Sequence, residues 1–159
     1  GRLSVSEGIY PSNRNYWLLR TAAMGHDIGM NYNPKEHEKR GAEIMEKILP
    51  LYGYSPEDIE IVKGLILATK LPTNPQNHLD EIIADADVDN FGRKDFFDKG
   101  AALRKELEAD KIIMSDEKWY SGVLKLLQNH RFYTISSQEL RGLQKQKNIE
   151  ETKRRLSLY

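Results

Sequence analysis

Apolar residues along this chain recur three and four positions apart and almost never alternate, so the pattern predicts helices throughout. A run from Asn15 to Ile28 follows a turn and cap at Pro11-Ser12-Asn13, and Gly29 supplies its stop. Pro34 opens a second helix at a position where its missing N–H does no harm. Met45, Ile48, Leu49 and Tyr52 then share one face, ahead of Gly53. Ser55-Pro56-Glu57-Asp58 joins a capping hydroxyl, a first-turn proline and acids that suit a positive helix start. Ile59, Val62, Leu65 and Ile66 form the stripe behind it. Pro72-Thr73-Asn74-Pro75 reads as loop. A fourth helix, near Asn77 to Asn90, aligns Leu79, Ile82, Ile83 and Ala86. A fifth spans about Lys94 to Ala109, and Ser115-Asp116-Glu117 caps a sixth that runs to about Asn129.

The segment after Ile135 differs in kind. It is charged and almost free of aromatics, with Leu140, Leu143 and Ile149 as sparse apolar anchors. The expected organisation is a helical bundle over residues 1–135 and a charged terminal helix over 136–159, docked on the bundle or projecting from it. That helix is also the expected contact in any homo-oligomer. The fold class is all-α.

Composition narrows the function classes. Lysine plus arginine and aspartate plus glutamate both total 24, so no net charge draws the chain to nucleic acid or to an anionic membrane. The basic residues between Lys145 and Arg155 are interrupted by Glu150 and Glu151, as on a solvated helix face. With no cysteine there is neither a disulfide nor a thiolate metal site, which fits a reducing cytoplasm. Any metal must take nitrogen and oxygen ligands. The run Leu65-Ile66-Leu67-Ala68 is far below the roughly 20 apolar residues that span a bilayer. The chain opens at Gly1 rather than methionine, so a natural start upstream is expected.

Three places carry candidate chemistry. His26 follows Leu19, Ala22 and Ala23 on one stripe, which puts its ring on the buried face near a helix end. By itself such a histidine is more often a core residue, but Asp27 beside it calls for a partner, either a divalent cation or an arginine. Asp85, Asp87 and Asp89 crowd one helix end, with Asp87 toward the margin of the apolar stripe and Asp85 farther out. Three such carboxylates repel one another unless water or a cation screens them. They are either a solvated helix end or ligands. His37-Glu38 opens the second helix, as a surface start or as a ligand or phosphate-facing pair. His78 reads as a helix-start residue and His130 as a last-turn residue near free carbonyls. A Walker-type phosphate loop and a GxSxG elbow are both absent.

Three segments in order resemble the HD superfamily of metal-dependent phosphohydrolases. They are Ala22-Ala23-Met24-Gly25-His26-Asp27-Ile28-Gly29, His37-Glu38-Lys39-Arg40-Gly41-Ala42 and Ile82-Ile83-Ala84-Asp85-Ala86-Asp87. The resemblance covers roughly residues 1 to 95 and implies an HD-domain-like bundle, with the later helices as an addition. It implies His26, Asp27 and Asp87 as metal ligands, Asp85 as the fallback, and a divalent ion (Mg, Mn, Fe, Ni, Co or Zn). It further implies catalytic roles for Asp27, His37 and Glu38 in hydrolysing a nucleotide or other small phosphoester with a metal-activated water.

Two departures matter. The family's first histidine lies upstream of the His-Asp pair, and no histidine precedes His26. Thr69-Lys70 stands where many relatives carry another histidine, which implies a single ion. Lys70 is a phosphate contact or a solvent-facing lysine. The missing histidine leaves an alternative open: a regulatory module that binds a metal or nucleotide without turnover.

Overall fold

A computed structural model describes residues 1–30, 32 and 36–159. Among the described residues the protein is all helical. Its elements are α1 (Arg2–Ser6), α2 (Arg14–Gly25), α3 (His37–Ile48), α4 (Pro56–Ala68), α5 (His78–Asp87), α6 (Phe96–Ala109), α7 (Asp116–Asn129) and α8 (Ile135–Leu156). Two 3-10 turns intervene, Leu49–Tyr52 and Asp89–Gly92. No helix among the described residues is long and apolar enough to cross a membrane. The chain divides into two compact units, Gly1–Asp87 and Val88–Tyr159.

In the first unit α4 is the hub. It packs against α2, α3 and α5, and its Ile59, Val62, Leu65 and Ile66 are buried as their spacing predicts. Its start is also as predicted: Ser55 Oγ accepts the Asp58 N–H. Leu18, Leu19, Ala22, Ala42 and Met45 complete the core around it.

Three details depart from the expected pattern. Tyr52 is 74% exposed, because α3 tightens into a 3-10 turn at Leu49 and the helical period is lost before Tyr52. α2 begins after the Asn13 cap as expected but stops at Gly25, ahead of Gly29. The predicted start of the second helix at Pro34 lies outside the described residues; the helix is observed from His37.

In the second unit, Val88, Phe91, Phe96, Leu127 and Phe132 form the core. α8 packs along α7 and the Asp89–Gly92 turn, with Thr134 Oγ1 accepting the Ser137 N–H at its start. Of its expected apolar anchors only Ile149 packs against that core. Leu140 and Leu143 are 64% and 73% exposed, while Ser137, Asn148 and Thr152 are buried. The Asn148 amide donates to the carbonyls of Phe91 and Arg93, and Arg141 forms a paired bond to the Asp89 carboxylate.

His130 closes α7, but its ring does not serve the helix carbonyls. It is set edge-on between Phe91 and Phe132, and Nδ1 is buried without a hydrogen-bond partner. Burial, reinforced by the charge of Lys145, lowers its pKa to about 4.

Candidate metal centre

The site is built where α2 ends and α3 begins. After Gly25 the chain turns: the Ile28 N–H reaches the Gly25 carbonyl and the Met30 N–H reaches the Asp27 carbonyl. His26 is therefore the C-cap of α2, with helical backbone angles, and Asp27 sits in the turn. Ala23 is exposed and the true apolar stripe runs through Leu18, Leu19, Ala22 and Gly25. His26 lies at the edge of that stripe, with 21% of its side chain exposed.

Gly29 has a different task from the stop expected of it. A Cβ there would come within 2.1 Å of the His37 carbonyl oxygen and 2.8 Å of the Gly41 nitrogen. Across the same crossing, a Cβ on Gly41 would meet the carbonyl oxygens of Gly25 and His26 at 3.1 and 3.2 Å. The two glycines let the α2 turn and the first turns of α3 touch backbone to backbone. That contact brings His26-Asp27 beside His37-Glu38.

α5 contributes the other carboxylate. Its Asn77 Oδ1 accepts the N–H groups of Leu79 and Asp80, which fixes the helix start. The helix packs on α1, α2 and α4, so its buried arc is wide. Asp85, expected well off the apolar stripe, is buried at 1%, whereas Ala86, expected on the stripe, is exposed. Asp87, at the last turn, faces His26.

His26 Nδ1 donates to the Ala23 carbonyl at 3.0 Å. Nε2 lies 2.9 Å from Asp87 Oδ1 and 3.2 Å from Asp27 Oδ2. The hydrogen bond that Nε2 donates to the Asp87 carboxylate raises the His26 pKa to about 8, with burial opposing it and the charges of both aspartates adding to it. His37, the first residue of α3, places Nε2 at 3.4 Å from Glu38 Oε1 and 3.9 Å from Asp27 Oδ1. Glu38 is buried at 6%, which a surface helix start would not predict.

The donors suit a divalent cation in kind, being one imidazole and two carboxylates. The Nδ1 bond to a backbone carbonyl is the arrangement that leaves Nε2 available as a ligand. Their spacing is that of an ion pair: they touch one another, and among the described residues no three such groups stand around an ion-sized gap. The residues fit the ion in the chemistry of their donors, while their spacing among the described residues is that of contacting side chains.

Elsewhere the expected roles disperse. Lys70 is exposed, and Thr69 is buried with its hydroxyl on the Ile66 carbonyl. His78 opens α5 as expected, paired with Glu7 and Glu81. The glycine contact at Gly29 was the positioning feature that sequence reasoning missed. Its signal was a glycine in each of two adjoining segments, and only the crossing gives them a joint meaning.

No curated protein and no solved structure matches the chain. The family model described as HD domain matches residues 3–90, which takes in α1 to α5 and every residue of the His26 cluster. Members of that family are typically metal-dependent phosphohydrolases. On this match over more than half its length, the chain belongs to the HD domain family.

Proposed function

We propose that the protein is a phosphohydrolase acting on a nucleotide or another small phosphoester, with His26, Asp27 and Asp87 as ligands of one divalent ion. The observation that carries this reading is the convergence of Asp27 and Asp87 on a single nitrogen of His26. A bound divalent ion would supply an acidified water and a charge for the phosphoryl oxygens.

The chain's own residues have separable tasks. Ala23 orients the His26 ring through Nδ1. Asp27 faces His37 as well as His26, so it stands between the ligand set and the α3 pair. His37 Nε2 and Glu38 Oε1 stand 3.4 Å apart and are placed to orient a water or accept its proton. Met24, Met30 and Tyr32, exposed by 81%, 43% and 68%, give the turn region an apolar surface that suits the organic part of a phosphoester.

A second reading, a metal- or nucleotide-binding regulatory module, draws support from the contact already made between His26 and Asp87. It is favoured as well by the lack of a histidine ahead of His26.

The test is elemental analysis of the purified chain, followed by phosphate release from a panel of nucleotides and simple phosphoesters with each divalent ion. Bound metal with metal-dependent turnover supports the hydrolase. Bound metal or nucleotide without turnover supports the regulatory module. A chain that retains no metal, binds no nucleotide and releases no phosphate overturns both.

A further inference from the structure

The unit Val88–Tyr159 contains a cavity of about 440 Å³. It arises because α6 packs chiefly on the Asp89–Gly92 turn while α7 lies along α8, so α6 and α7 splay apart. Phe91, Phe96, Leu103, Trp119, Val123 and Leu126 line the resulting slot. Leu103 and Leu126 remain 50% and 39% exposed, where a closed helix pair would have covered them.

Two glycines keep the slot open. Gly100 on α6 and Gly122 on α7 both line it, each inside a helix, where glycine is a poor choice. No close packing demands them. A Cβ on Gly122 would meet nothing within 4 Å, and one on Gly100 would meet only Trp119 Cζ2, at 3.8 Å. The end of the slot is braced by Arg104, which donates to the Asp116 carboxylate and the Met114 carbonyl and lies 5.8 Å over the Trp119 ring. The walls are set before any ligand arrives.

The charged residues on the lining are Lys99 and Lys118, one from each helix and both exposed. Asp95, on which the charge of Lys99 acts, is engaged by Arg93. An apolar slot with two cations selects a molecule that has a tail for the one and a negative head for the other. The cavity also falls in the size range of small-molecule sites, about 300–1,000 Å³. We infer that the slot between α6 and α7 binds a small amphipathic anion, an aliphatic or aromatic tail ended by a single carboxylate. The tail lies between Gly100 and Gly122 and the carboxylate meets Lys99 and Lys118. This inference is independent of the HD centre and of whether that centre turns over.

The test uses the full chain with Trp17→Phe, so that Trp119 is the one remaining tryptophan reporter. Decanoate, decanol and decyltrimethylammonium are titrated below their micelle concentrations while Trp119 fluorescence is followed. Decanoate is expected to saturate at one per chain, about tenfold more tightly than decanol, with the cation weaker than both. Lys99→Gln with Lys118→Gln should erase the advantage of decanoate and leave decanol binding in place. Gly122→Leu should weaken decanoate and decanol together by more than about tenfold, since it fills the slot. If Gly122→Leu fails to fold, the lysine pair still decides the matter through the decanoate-to-decanol ratio. The inference is overturned by the lack of a saturable signal, by equal binding of decanoate and decanol, or by unchanged binding in a folded Gly122→Leu. It is overturned equally by a concentration-dependent dimer that Gly122→Leu abolishes and decanoate leaves untouched, because the slot would then belong to a second copy.

Discussion

His26 Nε2 and Asp87 Oδ1 stand 2.9 Å apart, one at the end of α2 and the other at the end of α5. Both side chains are about a quarter exposed or less at 21% and 26%, so the pair contributes only modestly to stability, about 1 kcal/mol or below. Asp87→Ala should therefore leave helical content and melting temperature nearly unchanged. Under the proposed function it should also lower metal-dependent turnover by at least about a hundredfold. Asp27→Ala is expected to lose bound metal in the same way. Full metal content and full turnover in either variant would remove the ligand assignment.

A second expectation concerns the glycine crossing. Gly29→Ala forces a Cβ against the His37 carbonyl and the Gly41 nitrogen, backbone atoms that cannot step aside. The expected loss is about 2–3 kcal/mol in chemical denaturation. Gly64→Ala is the control, since its added carbon meets nothing within 4 Å on α4 and should raise stability by up to about 1 kcal/mol. Equal effects of the two would remove the close approach as the reason for Gly29.

The His130 ring gives a pH dependence whose sign follows from its surroundings. Its folded pKa, about 4, is below the ordinary value of 6.5, so between these limits the unfolded chain takes up a proton that the folded one refuses. Stability from this group is complete above about pH 6.5 and declines as pH falls toward 4. Lys145, from α8, is the charged group facing it, and protonation would add a second cation beside an apolar wall of Phe91 and Phe132. The full effect is on the order of 2–3 kcal/mol. Denaturation of His130→Phe across the same range should show a shallower decline than the parent; parallel curves would discount the ring.

Asn148→Ala should cost about 1–3 kcal/mol, because the carbonyls of Phe91 and Arg93 lose their donor. Asn148→Leu, nearly the same size, should not restore it. Recovery of parental stability by leucine would mean that packing, not hydrogen bonding, secures this helix.

Much of the architecture was legible from side-chain spacing. Asn13, Ser55 and Ser115 cap helices as their chemistry predicts, and the α4 stripe is buried at each expected position. The HD segments were legible as a set, since His26, Asp27 and Asp87 do meet. Burial was harder to read where an element has more than one neighbour. Asp85 and Glu38 are buried on helices that each pack on more than one neighbour, and no local period reports that. On α8 the apolar spacing holds only at Ile149, which packs on the core, while Leu140 and Leu143 are exposed. At the 3-10 turn the helix meets carbonyls and an acid, for which asparagine and arginine are the better match.

That last mismatch has a consequence for how α8 can move. A seam of interlocking hydrocarbon lets a helix slip by a turn and still find neighbours of the right kind. Asn148 grips two fixed oxygens, and Arg141 meets both oxygens of a single carboxylate. Sliding α8 along its axis would break all four bonds at once, so the helix is indexed like a key in its wards, with one seating and no neighbouring notch.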